Sequence, residues 1–533
     1  MVALVGADAR VTTLDAAARE VAELGDDVRL VVWSATRELR PLVRRGTHLT
    51  RVLDLAETHR ILEGGWRADP GRIWARALGL ERGGMPQDTG DDLFRHLEAG
   101  PAEEDLLTPT GYLRPEAVAG TWQTTPARLV AWGRAALEAA DRMGTHLRDI
   151  GPRATALAHS ESAAALLCLE LERDGLPVDR PAALALIERA AGPRPRSAEE
   201  ARGIRQQRDA RVLALAPGHE GTDLRNPASV RAFLAGLGIE VETTRKWVLE
   251  SYRDAHPAVA ALLAWRAEER IATTYGYGWL DAHVGADDRL RGAWSASDGA
   301  AGRMTAQNGL HNLPAPMRPA VAAAPGWCFV RADLGQIEPR VLAVVAADPL
   351  LAEATRADDL YAPIAARLGV ERSVAKVAVL AAMYGQRTGT AGRALDRLER
   401  AYPVAMGFLD RAYAAGVAGA DLRTFGGRRI RTRGIRHEGA RGRYARNALV
   451  QGAAAELFKA WAATVRAELA GQPAQIVLCL HDELLVHSPE ADADGVAALV
   501  SRTLTDAARR WSGDAPVRFV TDVRTIRRWS EAK

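Results

Sequence analysis

The 533-residue chain has few cysteines and no long apolar run. Its three cysteines, Cys168, Cys328 and Cys479, are widely spaced in apolar segments, so we expect buried, reduced thiols rather than a disulfide or zinc framework. The absence of about 18 uninterrupted apolar residues argues against a membrane-spanning helix. The N-terminus also lacks the basic and apolar regions of a signal peptide. We therefore expect a cytoplasmic protein with no membrane contact.

Lysine is scarce as well. Only four of the 70 basic residues are Lys, and the rest are Arg. The net charge is only +3, but nine arginines and a single acid, Glu438, lie between Arg423 and Arg446. Such a block repels itself unless an anion lies against it, so it favours nucleic-acid binding. The alternative is a solvated loop in an arginine-rich protein.

The length and the hydrophobic pattern both predict several domains. Helix starts are predicted at Asn226-Pro227 and at His256-Pro257, where a capping residue precedes proline. The predicted elements follow in this order: alternating strands and helices over residues 1–150, mostly helices over 155–290, a buried strand over 327–333, helices over 341–400, and two short apolar strands over 475–487.

Several carboxylates stand in unusual positions for acids. Asp333 closes the apolar strand, Glu338 follows five residues later, and Asp482 and Glu483 stand where the two short strands meet. Ionised carboxylates at the edge of an apolar sheet cost several kcal/mol each unless a cation compensates them. Two of them from separate strands would make a site for hard divalent cations, which can clamp a phosphoryl displacement. The alternative for residues 481–483 is an ordinary hairpin turn.

A helix is predicted over residues 371–385, and one of its faces carries an unusual series. Arg372, Lys376 and Leu380 fall within about 80° of one another, and Tyr384 lies a turn further along. Two cations, an apolar side chain and an aromatic ring could bind a triphosphate, a sugar and a base in turn. Lys376 adds weight, because composition alone favours Arg there and the two cations are chemically distinct. The alternative is an amphipathic surface helix with a solvated basic stripe.

Three segments resemble motifs of family A DNA polymerases, the bacterial DNA polymerase I type. DLGQIEPR at 333–340 resembles the first palm motif, the spacing of Arg372, Lys376 and Tyr384 resembles the fingers-helix motif, and LHDEL at 480–484 resembles the last palm motif. Supporting matches are Gly302-Arg303, Asn312-Leu313-Pro314, FGGRR at 425–429 and Asn447-x3-Gln451-Gly452. The resemblance covers residues 155–533 well and 1–150 only faintly.

The resemblance implies a role for each matching residue. Asp333 and Asp482, with the carbonyl of Leu334, would hold two Mg²⁺ ions, with Mn²⁺ as the alternative metal. Arg372 and Lys376 would bind the triphosphate, and Lys376 would protonate the leaving group. The expected partners are therefore primer-template DNA and deoxynucleoside triphosphates.

The same resemblance assigns the sugar, the base and the duplex. Glu338 would exclude a 2′-hydroxyl beneath the incoming sugar, and Tyr384 would stack at the template position. Gln336, Tyr361 and Leu380 would complete the nucleotide pocket. The residues expected to contact the duplex are Arg303, Asn312, Arg340, Arg429, Asn447, Gln451 and His481. The arginine block as a whole would meet backbone phosphates.

The implied fold is α+β and multidomain, a right-hand polymerase with palm, fingers and thumb behind an N-terminal α/β exonuclease-like domain of the RNase H-like type. The expected bounds are 1–150 for the exonuclease-like domain, 151–300 for the helical thumb, 301–340 with 421–533 for the palm, and 341–420 for the fingers. We expect a monomeric, nucleoid-associated DNA polymerase that extends a primer 3′-hydroxyl by two-metal phosphoryl transfer.

Several residues depart from the family pattern in the predicted nucleotide pocket. Leu380 stands where an aromatic residue is usual, Leu334-Gly335 replaces Tyr-Ser, Tyr361 stands where His is common, and His311 stands where Gln is usual. These departures leave the metal carboxylates intact. They predict altered fidelity, speed and sugar discrimination, which favours a role in DNA repair.

The N-terminal region lacks the acids of a proofreading 3′–5′ exonuclease. That chemistry needs an Asp-x-Glu pair on the first strand and two further aspartates. Residues 1–35 contain no Asp-x-Glu, and residues 129–137 contain no aspartate. The segment that offers Glu38 aligns only loosely, and Leu53-Asp54-Leu55 fits a structural position. We predict a degenerate domain without nuclease activity, and no 5′-nuclease domain.

Two other interpretations stay open. A non-catalytic protein that binds primer-template DNA on a polymerase scaffold would not need paired metal carboxylates. A relative of the single-subunit RNA polymerases would not be expected to carry Glu338, because its charge would repel ribonucleotides. Primer extension with each type of nucleotide distinguishes all three.

Overall fold

The structure is a computed structural model that describes residues 1–25, 27–86, 105–299, 301–307, 309–310, 312–385 and 391–532, without the side chains of 391–393. His311 lies outside the described residues. The chain forms two compact units: the first unit comprises Met1–Asp174, Ala293–Ala306 and Gly326–Thr525, and the second unit comprises Gly175–Gly292, Gln307–Pro325 and Ile526–Lys533. The four predicted domain bounds stay predictions. No helix within the described ranges is long and apolar enough to cross a membrane.

The N-terminal part of the first unit alternates strands with helices, as the sequence predicts. Its elements are β1 (Val2–Val5), β2 (Ala9–Thr12), α1 (Leu14–Ala22), β3 (Leu30–Val32), α2 (Ala35–Glu38), α3 (Arg40–Arg44), β4 (Val52–Asp54), α4 (Leu55–Glu63), α5 (Pro70–Ala77), α6 (Pro115–Ala119), α7 (Pro126–Ile150) and α8 (Pro152–Asp174). Strands β1 and β2 pair antiparallel, whereas β3 and β4 pair in parallel. Asp54 ends β4 and caps α4, because its carboxylate accepts the N–H of Glu57 at 2.9 Å.

The second unit is mostly helical. Its elements are β5 (Leu176–Pro177), α9 (Arg180–Ala191), α10 (Ala198–Leu213), α11 (Pro227–Gly236), α12 (Lys246–Glu250), α13 (Pro257–Thr274), α14 (Tyr277–His283) and β6 (Arg289–Leu290). Both predicted caps are present: Asn226 accepts backbone N–H groups at the start of α11, and the His256 ring accepts the N–H of Ala258 at the start of α13. Phe233 and Trp265 are buried in the core of this unit.

The rest of the first unit contains the predicted palm and fingers segments. Its elements are β7 (Trp294–Asp298), β8 (Arg303–Ala306), β9 (Trp327–Leu334), α15 (Ile337–Val345), α16 (Pro349–Ala354), α17 (Tyr361–Leu368), α18 (Arg372–Tyr384), α19 (Ala391–Ala401), α20 (Pro403–Val417), β10 (Leu422–Arg423), β11 (Arg429–Ile430), α21 (Glu438–Glu468), β12 (Gln475–Leu480), β13 (Glu483–Pro489), α22 (Ala493–Ser512) and β14 (Thr521–Ile526).

A four-stranded sheet carries the predicted acids. Its strand order is β12-β13-β9-β14, and β13 pairs antiparallel with both β12 and β9. Phe329, Val330 and Ala332 of β9 are fully buried. Asp333 stands near the end of this strand, after these apolar residues.

Helix α18 is amphipathic in the way its spacing predicts. Ala375, Val379 and Met383 are buried in a core formed with the neighbouring helices, while Arg372 and Lys376 are exposed. The helix ends at Gly385, whose left-handed conformation (φ 70°) stops it. The cationic face is therefore presented to solvent.

Candidate active site

The two acids predicted to bind metal lie side by side at the end of β9. Asp333 stands directly opposite Glu483 in the β9–β13 pairing. The N–H of Leu334 donates to the backbone carbonyl of Asp482 at 2.8 Å. Asp482 occupies the tight turn between β12 and β13, and His481 before it takes a left-handed conformation with φ 51°. Strand pairing thus joins two motifs that are far apart in sequence.

The carboxylates at this edge disfavour one another's ionisation. The pKa of Asp482 is raised to about 6, chiefly because burial disfavours the charged form. The carboxylates of Asp333, Glu483 and Glu338 raise this pKa further. Burial also raises the pKa of Asp333, although the guanidinium of Arg331 opposes the effect. A divalent cation would relieve this cost.

The oxygen ligands at this edge suit a hard cation that also binds waters and substrate phosphates. Within the described ranges, no group of three or more His, Cys, Asp or Glu side chains is arranged to hold a metal ion. The set at this edge is smaller: the carboxylates of Asp333 and Asp482, with the predicted carbonyl of Leu334. Mg²⁺ is commonly held by one or two carboxylates plus waters and substrate phosphates, so a set with two carboxylates suits it.

Arg372, one of the exposed cations of α18, stands beside an acid that sequence reasoning missed. The guanidinium of Arg372 pairs with the carboxylate of Asp359, with Nη2 at 3.2 Å from Oδ1. It also lies 5.7 Å from the centre of the Tyr361 ring. Lys376, one turn further on, is exposed. Arg372 must leave or share Asp359 to bind another anion.

Gln336 holds this acid in place. Its side-chain amide donates to Asp359 at 3.0 Å and accepts the N–H of Leu360 at 2.8 Å. Gln336 itself has a left-handed backbone, with φ 55°, at the start of α15. The predicted nucleotide-pocket residue thus orients the loop that carries Asp359.

Gly335 lies close to Val520, the residue before β14. Its N–H donates to the carbonyl of Val520 at 3.0 Å. A Cβ at position 335 would lie 2.8 Å from Val520 Cγ2, which is too close for a side chain. This departure from the family motif therefore has a packing reason in this chain.

Glu338 is fixed from two sides. Arg303 Nη2 donates to one carboxylate oxygen at 2.9 Å, and the Tyr384 hydroxyl donates to the other at 3.1 Å. Burial and the charge of Glu338 raise the pKa of Tyr384, while a side-chain hydrogen bond with Gln451 lowers it. The carboxylate therefore has a single well-defined orientation.

Most of the predicted residues line one cavity of about 250 Å³. The predicted residues in its wall are Arg303, Gln336, Glu338, Tyr361, Leu380, Tyr384, Gln451, His481 and Asp482. Ala454 and Ala455 of α21 also line it, and no sequence signal marked them. Leu380 contributes an aliphatic part of the wall.

Arg340 is not at this cavity, and the prediction that it contacts DNA is not supported. Its side chain is fully buried, and all five of its N–H donors reach backbone carbonyls. Those acceptors belong to Gly335, Thr355, Ala357, Asp358 and Arg518, at 2.6–3.0 Å. No donor is left for a phosphate, so Arg340 holds the loop after α16 and the segment before β14 together.

Two predicted DNA contacts are not among the residues that line the cavity. Asn312 belongs to the second unit, where its backbone carbonyl accepts the Tyr275 hydroxyl at 2.7 Å. Asn447 is on α21, and its buried Oδ1 has no hydrogen-bond partner in the described part of the chain. Both stay predictions.

Arginines of the 423–446 block form ion pairs with acids elsewhere in the chain. Arg428 is buried and pairs with Glu161 at 2.7 Å, and Arg446 pairs with Asp410 at 3.0 Å. The expectation that the whole block meets phosphates is therefore too broad. A local count of acids could not detect these partners.

Arg429 is partly exposed, but it also forms ion pairs with acids. It lies 2.7 Å from Asp421 and 3.3 Å from Glu63, and Arg431 also contacts Glu63 at 3.1 Å. A DNA phosphate at Arg429 would compete with these acids. Its role in DNA binding stays a prediction.

Arg331 is the cation at this edge that sequence reasoning missed. Its guanidinium lies 2.6 Å from Asp333 and 2.9 Å from Glu483. A signal was available, because residues two apart on a strand share a face and Arg331 is two residues before Asp333. An arginine inside an otherwise apolar strand needs such a partner.

The chain belongs to DNA polymerase family A, whose family model matches residues 237–531, more than half of the chain. It is 31% identical over 326 residues to DNA polymerase I of Chloroflexus aurantiacus, covering 55% of this chain and 34% of that protein. It is 28% identical over 326 residues to the thermostable DNA polymerase I of Thermus filiformis, covering 55% and 38%. The matched part of the chain thus spans little more than a third of either relative.

The fold matches a solved polymerase domain. The POL domain of Pol1 from M. smegmatis, in complex with DNA primer-template and dNTP, superposes with a TM-score of 0.68 at 22% identity. The match covers 97% of this chain and 88% of that chain. The expected α+β right-hand architecture is therefore confirmed.

Proposed function

We propose that this chain is a template-directed DNA polymerase that adds deoxynucleotides to a primer 3′-hydroxyl by two-metal phosphoryl transfer. The observation that carries the proposal is the adjacency of Asp333 and Asp482 beside the cavity that contains Glu338, Leu380 and Tyr384. The names of the relatives, DNA polymerase I, and the DNA primer-template and dNTP bound to the M. smegmatis Pol1 domain support it.

In this proposal Asp333 and Asp482 hold two Mg²⁺ ions, and Mn²⁺ is an alternative. Metal bound there would lower the pKa of the primer hydroxyl and neutralise charge on the pyrophosphate. Arg372 and Lys376, exposed on the first turns of α18, bind the triphosphate, and the positive end of the helix favours the same anion. Lys376 donates a proton to the leaving group.

Glu338 selects the sugar in this proposal. Its carboxylate is held by Arg303 and Tyr384, so it cannot turn away from a bulkier substrate. A ribonucleotide would bring its 2′-hydroxyl against this group. Tyr384 lies at the template position, and Gln336 and Tyr361 complete the pocket.

The duplex would be held by polar side chains, several of which belong to the cavity wall. Arg303, Gln451 and His481 line the cavity and are proposed to contact the primer-template, together with Asn312 and Asn447. The half-exposed Arg429 is proposed to meet a phosphate in competition with Asp421 and Glu63.

We further infer that the chain acts in DNA repair and has no proofreading activity. We also infer that it is a monomer associated with the nucleoid in the cytoplasm. The aliphatic side chain of Leu380 in the pocket wall supports a looser fit to the incoming nucleotide, and so the inferred role in repair. In the N-terminal region Asp54 is buried and accepts the N–H groups of Ala35 and Glu57 at 2.7 and 2.9 Å, which supports a structural role. A labelled primer with a mismatched end should stay uncut, and degradation of that primer would contradict this.

Primer extension tests the main proposal. A primer on a longer template is incubated with Mg²⁺ or Mn²⁺ and with deoxynucleotides or ribonucleotides. The chain should extend it with deoxynucleotides. Asp482→Ala should lower the rate about 1,000-fold or more while duplex affinity changes about twofold or less, because only the metal site is lost.

Asp494→Asn is the matched control, since it removes an exposed carboxylate from α22. Duplex binding without extension by the unmodified chain would favour the non-catalytic scaffold instead. Extension with ribonucleotides at equal efficiency would favour the RNA polymerase interpretation.

A further inference from the structure

Arg331 places a guanidinium at the carboxylate edge of the sheet. It belongs to β9, the central strand between β13 and β14. Its side chain is 11% exposed, whereas that of Asp333 is 33% exposed. A largely buried arginine is retained only where acids compensate the cost of removing it from water.

Three acids from three strands compensate it. Nη2 of Arg331 lies 2.6 Å from Asp333 Oδ2, and Nε lies 2.9 Å from Glu483 Oε1. Nη1 lies 3.4 Å from Asp522 Oδ2 on β14. The guanidinium therefore bridges β13, β9 and β14, and its shortest contact is to Asp333.

The Arg331 guanidinium can leave Asp333 more easily than it can leave all three acids at once. If Arg331 leaves Asp333, it keeps Glu483 on one neighbouring strand and Asp522 on the other. Any cation that reaches Asp333 can then replace the positive charge that the guanidinium supplied. Asp482, the other acid of the proposed metal pair, is not among these contacts of the guanidinium.

We propose that Arg331 is the resident counter-cation of Asp333, that a divalent cation binds there by displacing it towards Glu483 and Asp522, and that Arg331 thereby sets the metal concentration the site requires. This rests on the proposed function of Asp333 and Asp482 as the metal-binding pair. Arg331 is a positioning residue in this proposal, since it acts through the carboxylate of Asp333.

The proposal predicts opposite effects of two substitutions. Arg331→Met removes the competitor, so Mn²⁺ should bind about tenfold more tightly, because a cation within a few ångströms changes the affinity of a carboxylate by that order. Asp522→Asn removes one alternative partner of the guanidinium, so Mn²⁺ should bind about threefold more weakly. In the double variant the effect of Asp522→Asn should shrink to less than about twofold.

Titration of Mn²⁺ alone, with the free ion measured by electron paramagnetic resonance and no DNA or nucleotide present, measures these affinities. Asp333→Asn should abolish the binding. Arg524→Met is the matched control, because it removes a half-exposed arginine that pairs with Asp522 at 3.0 Å, and it should change the affinity less than about twofold.

Equal or weaker Mn²⁺ binding by Arg331→Met overturns the proposal. An arginine that only held the strands together would loosen the carboxylates when removed, so it would give weaker binding. If Arg331→Met does not fold, the half-exposed Asp522→Asn decides: unchanged or tighter binding overturns the proposal.

Failure of the metal site and failure of the role of Arg331 give different results. If Asp333→Asn abolishes Mn²⁺ binding but Arg331→Met leaves it unchanged, only the role of Arg331 fails. If neither the unmodified chain nor Arg331→Met binds Mn²⁺, the proposed metal site fails and the role of Arg331 fails with it.

Discussion

The backbone N–H of Leu334 donates to the backbone carbonyl of Asp482 across 2.8 Å. This bond joins the end of β9 to the turn before β13. It brings the neighbouring acid Asp333 to the same edge of the sheet as Asp482. Two partly buried carboxylates in this arrangement favour a cation between them.

Removing the carboxylate of Glu338 should weaken sugar selection. We expect Glu338→Ala to raise ribonucleotide incorporation relative to deoxynucleotide incorporation by about tenfold or more, about 1.4 kcal/mol, because space opens for the 2′-hydroxyl. Tyr384→Phe removes one of the two hydrogen bonds that orient Glu338, so the shift should be smaller, about threefold. Single-turnover kinetics with each nucleotide measures both ratios. An unchanged ratio in Glu338→Ala would remove Glu338 from sugar selection.

Filling the cavity wall at position 380 should raise selectivity for the correct nucleotide. Leu380→Phe adds a ring to a cavity of about 250 Å³. We expect KM for the correct deoxynucleotide to fall, and misinsertion to fall about threefold to tenfold, since a closer fit discriminates by about 1 kcal/mol. Val377→Phe is the matched control, because Val377 is 52% exposed on the same helix. Fidelity equal to that of a replicative enzyme in the unmodified chain would contradict the inferred looser pocket.

Arg340→Lys should destabilise the fold without a direct effect on DNA binding. Lysine keeps the charge but cannot donate to five carbonyls at once, so several buried acceptors lose their partner. We expect a loss of about 3 kcal/mol in the free energy of unfolding, measured by denaturant titration. Arg510→Lys, at an exposed position on α22, is the control. A stable Arg340→Lys variant with weakened duplex binding would restore the original DNA-contact prediction.

The buried acid Glu456 should make stability depend on pH. Burial raises its pKa to about 7 from an ordinary value of 4.5, although bonds from Thr424 and Gly426 oppose the shift. The folded chain therefore holds this proton more tightly than the unfolded chain does. Its contribution is fully present below about pH 4.5 and is lost as pH rises through about 7.

Comparison with Glu456→Gln isolates this effect. The stability of the unmodified chain relative to Glu456→Gln should fall by on the order of 1–3 kcal/mol between those two pH values and then level off. Denaturant titrations at several pH values give the difference. Glu468→Gln, exposed on the same helix, is the control and should not show the trend. A difference that grows with pH would contradict the assigned direction.

The sequence by itself determined the local elements and the chemical types at the site. Capping residues and proline predicted the starts of α11 and α13, and the spacing of Arg372 and Lys376 predicted an exposed cationic face on α18. These features depend on neighbours within a few residues, so spacing alone contains the information. The motifs also identified the family, since their order along the chain is itself a sequence property.

Only the tertiary structure decided which charges meet. Arg340 lies in a motif that resembles a DNA-binding segment, yet its partners are carbonyls brought together by the fold. Arg428 is paired by Glu161, and Arg331 by acids on two neighbouring strands as well as by Asp333. The electrostatic energy of a charge depends on distance in space and on exclusion of water, and neither quantity can be read from separation along the chain.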